Sequence, residues 1–171
     1  MKVLKFGGSS VGSIENIHRI INIVRAEKAQ DKEVVLVCSA FNKVTDQLIN
    51  AGKLAEKKDN NTYLEIFQNF KDRHQTTIEN IIEDTAIKKE MMDEFFESMD
   101  RVEDILKGVH LLGELSDKTL AQLVSYGERF SCFIVAGALR NAGLNGIYVN
   151  ATQLVRTDSN YLSAKVNFEK T

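Results

Sequence analysis

The chain has 171 residues, with 22 lysines and arginines against 24 aspartates and glutamates, and 43% hydrophobic side chains. That suits one globular domain with a buried core. The net charge of −2, without a dense basic cluster, gives no electrostatic ground for nucleic-acid binding. No apolar run approaches the ~20 residues that cross a bilayer, and the opening Met-Lys-Val-Leu-Lys-Phe-Gly-Gly lacks the apolar stretch of a secretory signal. Cys38 and Cys132 are far apart without a CxxC pattern, and His18, His74 and His110 have no metal-ligand spacing. The expectation is a protein of the reducing cytoplasm, with two small buried cysteines, three surface histidines and no metal site.

In chain order, Val3 to Phe6 predicts a short strand ended by Gly7-Gly8-Ser9-Ser10. Ile14, Ile17, Ile20, Ile21 and Val24 recur at helical spacing and predict a helix from about Ser13 to Gln30. Glu33 to Cys38 is a continuous, β-branched apolar run, which suits a parallel strand covered on both faces. Strand, helix, strand in this order is a βαβ unit and implies an α/β fold.

From Thr45 to Gly108 the pattern is helical throughout, as expected of an insertion in an α/β domain. One helix spans about Lys43 to Lys58. Thr62 and Glu65 have the spacing of a capping box and open a second helix. A third runs from about Ile87 to Lys107 and stops at Gly108. Ser116-Asp117 then caps a long helix ending near Gly143. Ile147-Tyr148-Val149 predicts a third strand after the Asn145-Gly146 turn, and Val155 a fourth extended piece. A doubly wound sheet of about four strands results, with a polar tail from Asp158 to Thr171.

Three segments carry possible chemistry. Lys5-Phe6-Gly7-Gly8-Ser9 closes the first strand, where ligands of open α/β sheets bind. Adjacent glycines let backbone approach phosphate oxygens, a following helix N-terminus favours anions, and Lys5 adds a full positive charge. Glycine is also common in any strand-to-helix turn, and neither GxxxxGK[ST] nor GxGxxG is present. The second segment, Ser39 to Asp46, follows the second strand. Its hydroxyls suit a small carboxylate, although Thr45 or Asp46 serves equally well as a helix cap. The third is Ser125-Tyr126-Gly127-Glu128-Arg129-Phe130-Ser131. A glycine inside a helix costs about 0.5–1 kcal/mol relative to alanine, so backbone or ligand is expected to pass close to Gly127. Glu128 suits a substrate ammonium group, or else forms an ordinary surface pair with Arg129.

Taken together, Lys5-Phe6-Gly7-Gly8-Ser9-Ser10-Val11, Cys38-Ser39-Ala40 with Thr45-Asp46, and Ser125 to Arg129 with Ser131 resemble the aspartokinases of the amino-acid kinase family. Ile105 to Gly113 further resembles the corresponding segment of bifunctional aspartokinase–homoserine dehydrogenases. The resemblance covers essentially the whole chain. It implies an open αβα sandwich with a mainly parallel sheet, binding ATP and L-aspartate at one sheet edge. The implied reaction is transfer of a phosphoryl group from ATP, with its Mg2+, to the side-chain carboxylate, yielding 4-phospho-L-aspartate for the aspartate-derived amino acids. Carried onto this sequence, Lys5 stabilises charge on the phosphoryl group and Phe6, Gly7, Gly8 and Ser9 meet the nucleotide. Ser39, Thr45 and Glu128 line the aspartate pocket. No protein metal site is implied, and the complete enzyme is expected to be a homo-oligomer.

The family's later Gly-rich GGSD-type segment, and its arginine and aspartate that complete the site, are not found in these residues. The expectation is an N-terminal part of the catalytic domain that holds half a site and is inactive alone. The alternatives are another amino-acid kinase, such as an N-acetylglutamate kinase, and a non-catalytic assembly module.

Overall fold

The computed structural model describes residues 1–59, 61–161 and 163–171. Two strands, β1 (Lys2–Phe6) and β2 (Val34–Cys38), pair in parallel with Lys2 opposite Val34 and Phe6 opposite Cys38. The Ser39 amide donates to the Phe6 carbonyl at 3.0 Å and carries the ladder one step further. Between the strands come a single turn, α1 (Gly8–Val11), and the helix α2 (Ile14–Lys28). The Ser13 hydroxyl caps α2 by accepting from the Asn16 amide, and α2 buries Ile17, Ile20, Ile21 and Val24 as its periodicity predicts.

Four helices complete the core: α3 (Val44–Glu56), α4 (Thr62–Ile81), α5 (Thr85–Leu112) and α6 (Asp117–Asn141). The last three share an aromatic centre in which Phe130 of α6 lies 5.8 Å from Phe70 of α4 and 5.4 Å from Phe95 of α5, edge to face. A two-pronged ion pair from Arg140 to Glu90, both contacts at 2.8 Å, joins α6 to α5 at the surface. Among the described residues no helix is long and apolar enough to cross a membrane.

Several expectations change. The third helix does not stop at Gly108; it continues to Leu112 and ends at Gly113, which takes φ +70°. Burial of Val109, at 3% exposure, offsets the small propensity cost of the mid-helix glycine. The Thr62–Glu65 capping box does not form, because Asp59 Oδ1 accepts from the Thr62 amide at 2.7 Å and from the Asn61 amide at 3.3 Å. Its carboxyl is held below the usual range, chiefly by the hydrogen bond from Thr62.

Residues 147–149 form no strand. The turn before them is bound to α6 instead. A Cβ at Gly146 would lie 2.4 Å from the Ala136 carbonyl oxygen, and Tyr148 packs edge to face on Phe133 at 5.8 Å. The segment therefore follows α6 and leaves a cleft of about 410 Å3 between itself and β2. In place of the fourth extended piece there is a 3-10 turn (Ala151–Gln153) and one antiparallel bridge between Thr157 and Val166. The sheet among the described residues thus has two strands, with its inner face on the helices. The outer face stays open, with Val35 and Val37 exposed at 44% and 47% although their apolar run predicts cover on both sides.

Candidate active site

Parallel pairing brings the ends of β1 and β2 out together, so Gly7-Gly8 and Ser39-Ala40 emerge at one sheet edge. A Cβ added at Gly8 would lie 2.7 Å from the Ala40 carbonyl oxygen. A Cβ at Gly127 would lie 2.9 Å from the Ala40 Cβ and 3.1 Å from Val44 Cγ1. All three sequence segments therefore meet around Ala40. The expected close approach at Gly127 is made by backbone and side chains of this chain.

The two loop glycines differ. Gly8 is required by the Ala40 carbonyl, which leaves no room for a side chain. Gly7 is extended, with φ −76° and ψ 170°, and has nothing within 4 Å of its notional Cβ. Its face is the open one. The element directly behind the glycine loop is the four-residue α1; the helix expected from about Ser13 forms as α2 with Ser13 as its cap, and the Gly12 carbonyl between them accepts from Arg73 at 3.3 Å. Any helix-dipole contribution at this loop is therefore that of one turn.

Lys5, opposite Val37, is exposed on the outer face of β1, and among the described residues it makes no ion pair. Phe6 packs against the core and Ser9 is exposed. Ser39 is half-buried. Thr45 is half-buried in the first turn of α3, which starts after Lys43 at φ +68° without any side-chain cap. Neither Thr45 nor Asp46 acts as the cap. Glu128 is half-buried and does not pair with Arg129. Arg129 instead stacks on the Tyr126 ring at 4.3 Å. The structure gathers the backbones of these segments and leaves the side-chain face of Gly7 open, while among the described residues the Thr45 and Glu128 side chains make no hydrogen bond or ion pair.

Two residues of this region escaped the sequence reading. Arg73 of α4 reaches across both loops, donating to the Asn42 carbonyl at 2.8 Å and the Gly12 carbonyl at 3.3 Å while its guanidinium lies 5.5 Å from the Phe41 ring. Nothing in the spacing of the sequence marks it. His74 is no surface histidine: it is fully buried, stacked on Phe41 at 4.8 Å and near-parallel, with Phe70 and Phe130 beside it. Burial lowers its pKa to about 4, so the ring is neutral and Nδ1–H donates to the Phe70 carbonyl at 2.8 Å. A legible signal did exist, since His74 continues the stripe Phe67, Phe70, Ile78, Ile81 at helical spacing. His18 is exposed as expected, and His110 is half-buried against Tyr63.

A parallel βαβ unit with a glycine loop, a hydroxyl-bearing loop and the Glu128-bearing helix at its carboxyl edge defines an α/β protein. Comparison with known proteins narrows this. Residues 1–169 match the amino acid kinase family, and the chain belongs to it. Among curated relatives, it is 30% identical over 160 residues to an aspartokinase of Candida albicans, covering 90% of this chain and 28% of that protein. It is 29% identical to a bifunctional aspartokinase/homoserine dehydrogenase of Buchnera aphidicola, covering 99% of this chain and 21% of that one. Escherichia coli aspartokinase III, solved in complex with aspartate and ADP, superposes with a TM-score of 0.85 at 21% identity, over 99% of this chain and 35% of the other. The chain thus has an aspartokinase-like fold and spans about a third or less of these proteins' lengths.

Proposed function

We propose that this chain supplies the β1–β2 edge of an aspartokinase catalytic site. The carrying observation is the convergence of the three segments on Ala40, with Gly7, Thr45 and Glu128 left open around it. A carboxylate oxygen of L-aspartate attacks the γ-phosphorus of ATP, the bond to the bridging oxygen breaks, and ADP leaves. The protein's part is positioning and charge stabilisation. Gly7, with Phe6, Gly8 and Ser9, offers the backbone to phosphate oxygens, and the Lys5 ammonium balances their charge. The Ser39 and Thr45 hydroxyls hold the substrate carboxylates, and Glu128 accepts from its ammonium group.

The described residues include no cluster of three His, Cys, Asp or Glu side chains able to hold a metal ion. Magnesium belongs to this proposal as a cation carried on the nucleotide phosphates, as the family resemblance implies. In this proposal Lys5, Ser39, Thr45 and Glu128 supply one part of the site, since the chain spans about a third or less of the aspartokinases it resembles. Aspartate-dependent ADP release tests this, measured for this chain and for the product of the complete reading frame that encodes it. Release by the complete product only is the expected result. Release by neither would remove the assigned reaction, and release by residues 1–171 alone would move the nucleotide site.

A further inference from the structure

Cys38 and Cys132 are 94 residues apart in sequence and adjacent in the fold. Cys38 ends β2 and is buried; Cys132 sits on α6 and is half-buried. The Cys132 thiol donates to the Cys38 carbonyl oxygen at 3.7 Å, which sets the two cysteines side by side. Both residues line the cleft of about 410 Å3 between β2 and residues 144–149, so a small solute reaches them from solvent. The separation in sequence suggested two unrelated buried hydrophobes, and the fold makes them a pair.

The closeness of the two thiols divides the acidity of the pair. It draws the Cys132 thiol down to about 7, against burial and the nearby Glu128 charge. The neighbouring Cys132 side chain, followed by burial, pushes the Cys38 thiol up. Cys132, the more exposed and the more acidic of the two, is the thiol that reacts first. A half-exposed thiolate in a cleft is a nucleophile, and an adjacent second thiol can resolve its oxidation product.

We propose that Cys132 and Cys38 form a peroxide-responsive thiol pair that closes into a disulfide between helix α6 and the end of strand β2. The Cys132 thiolate attacks one oxygen of hydrogen peroxide; an S–O bond forms, the O–O bond breaks, and hydroxide leaves and takes a proton. With that thiolate consumed, its charge no longer holds Cys38 protonated. Cys38 loses its proton and attacks the sulfenic sulfur, an S–S bond forms, and the S–O oxygen departs as water. Two electrons pass from the thiols to peroxide, giving one disulfide and two waters. The crosslink joins the strand end leading into Ser39 to the helix one turn beyond Glu128. It would tighten the proposed aspartate pocket, but the thiol chemistry does not depend on that assignment.

The test is intact-mass measurement of the purified chain before and after hydrogen peroxide, with free thiols alkylated under denaturing conditions. The expected product is monomeric, lighter by about 2 Da, closed to alkylation at both positions, and restored by dithiothreitol. Peptide mapping should show the Cys38 peptide linked to the Cys132 peptide. In Cys38→Ser, dimedone should trap a sulfenic acid at Cys132. Before oxidation, Cys132 should alkylate at least ~10-fold faster than Cys38 at pH 7. Two thiols still open after peroxide, Cys132 driven to sulfinic acid with Cys38 free, or a disulfide found only between two chains would each overturn the proposal. The mass shift in the unaltered chain requires no variant to fold.

Discussion

Gly127 of α6 and Ala40 after β2 stand so close that a Cβ on the glycine would lie 2.9 Å from the alanine's own. The glycine is therefore an inter-element spacing device that lets a helix lie on the loop joining β2 to α3. Gly127→Ala should destabilise the chain by about 1–3 kcal/mol in urea denaturation, because overpacking exceeds the gain in helix propensity. Pairing it with Ala40→Gly should recover most of the loss. A Gly127→Ala chain as stable as the parent would show that this contact does not set the spacing.

Arg73 fastens the two loops by donating to Asn42 and Gly12. Arg73→Ala should cost about 1–2 kcal/mol and increase amide exchange around residues 12 and 42. Arg73→Lys should not restore protection, since one ammonium cannot reproduce a planar fork reaching two separate carbonyls. Equal protection in the lysine variant would reduce Arg73 to a simple charge.

His74 makes stability pH-dependent. Its folded pKa, about 4, lies below its unfolded value near 6.5. The unfolded chain therefore holds the extra proton between those values. Its contribution is full above pH 6.5 and falls as pH drops toward 4, by up to about 3 kcal/mol. Unfolding free energy measured against pH should flatten across this window in His74→Phe.

Gly108 offers a gain. It is inside α5 with nothing within 4 Å of its notional Cβ. Gly108→Ala should raise stability by about 0.5–1 kcal/mol, whereas Gly113→Ala, at φ +70°, should lower it. Thermal melts of the two variants should move in opposite directions.

Lys5 carries the proposed chemistry. In the product of the complete reading frame, Lys5→Ala should cut aspartate-dependent turnover by roughly 10²–10³-fold, the scale for losing one transition-state donor. An unchanged rate would remove Lys5 from the reaction.

Much of this molecule can be read from local pattern. The apolar spacing of α2 placed its buried isoleucines, Ser13 and Ser116 cap their helices through their hydroxyls, and the glycine inside the last helix announced a close approach before any partner was known. Each is a relation within about one helical turn, where covalent geometry and hydrogen-bond reach leave few alternatives. The three segments were legible as candidates for the same reason.

Tertiary structure decided the matters that depend on distant chain. It decided that the close partner of Gly127 is Ala40, that Arg73 ties Gly12 to Asn42, and that residues 144–149 follow α6 instead of joining the sheet. It also placed His74 in an aromatic box and Cys132 beside Cys38. No periodicity encodes such meetings. They depend on which faces of separate helices bury one another, and that is settled only when the whole core packs.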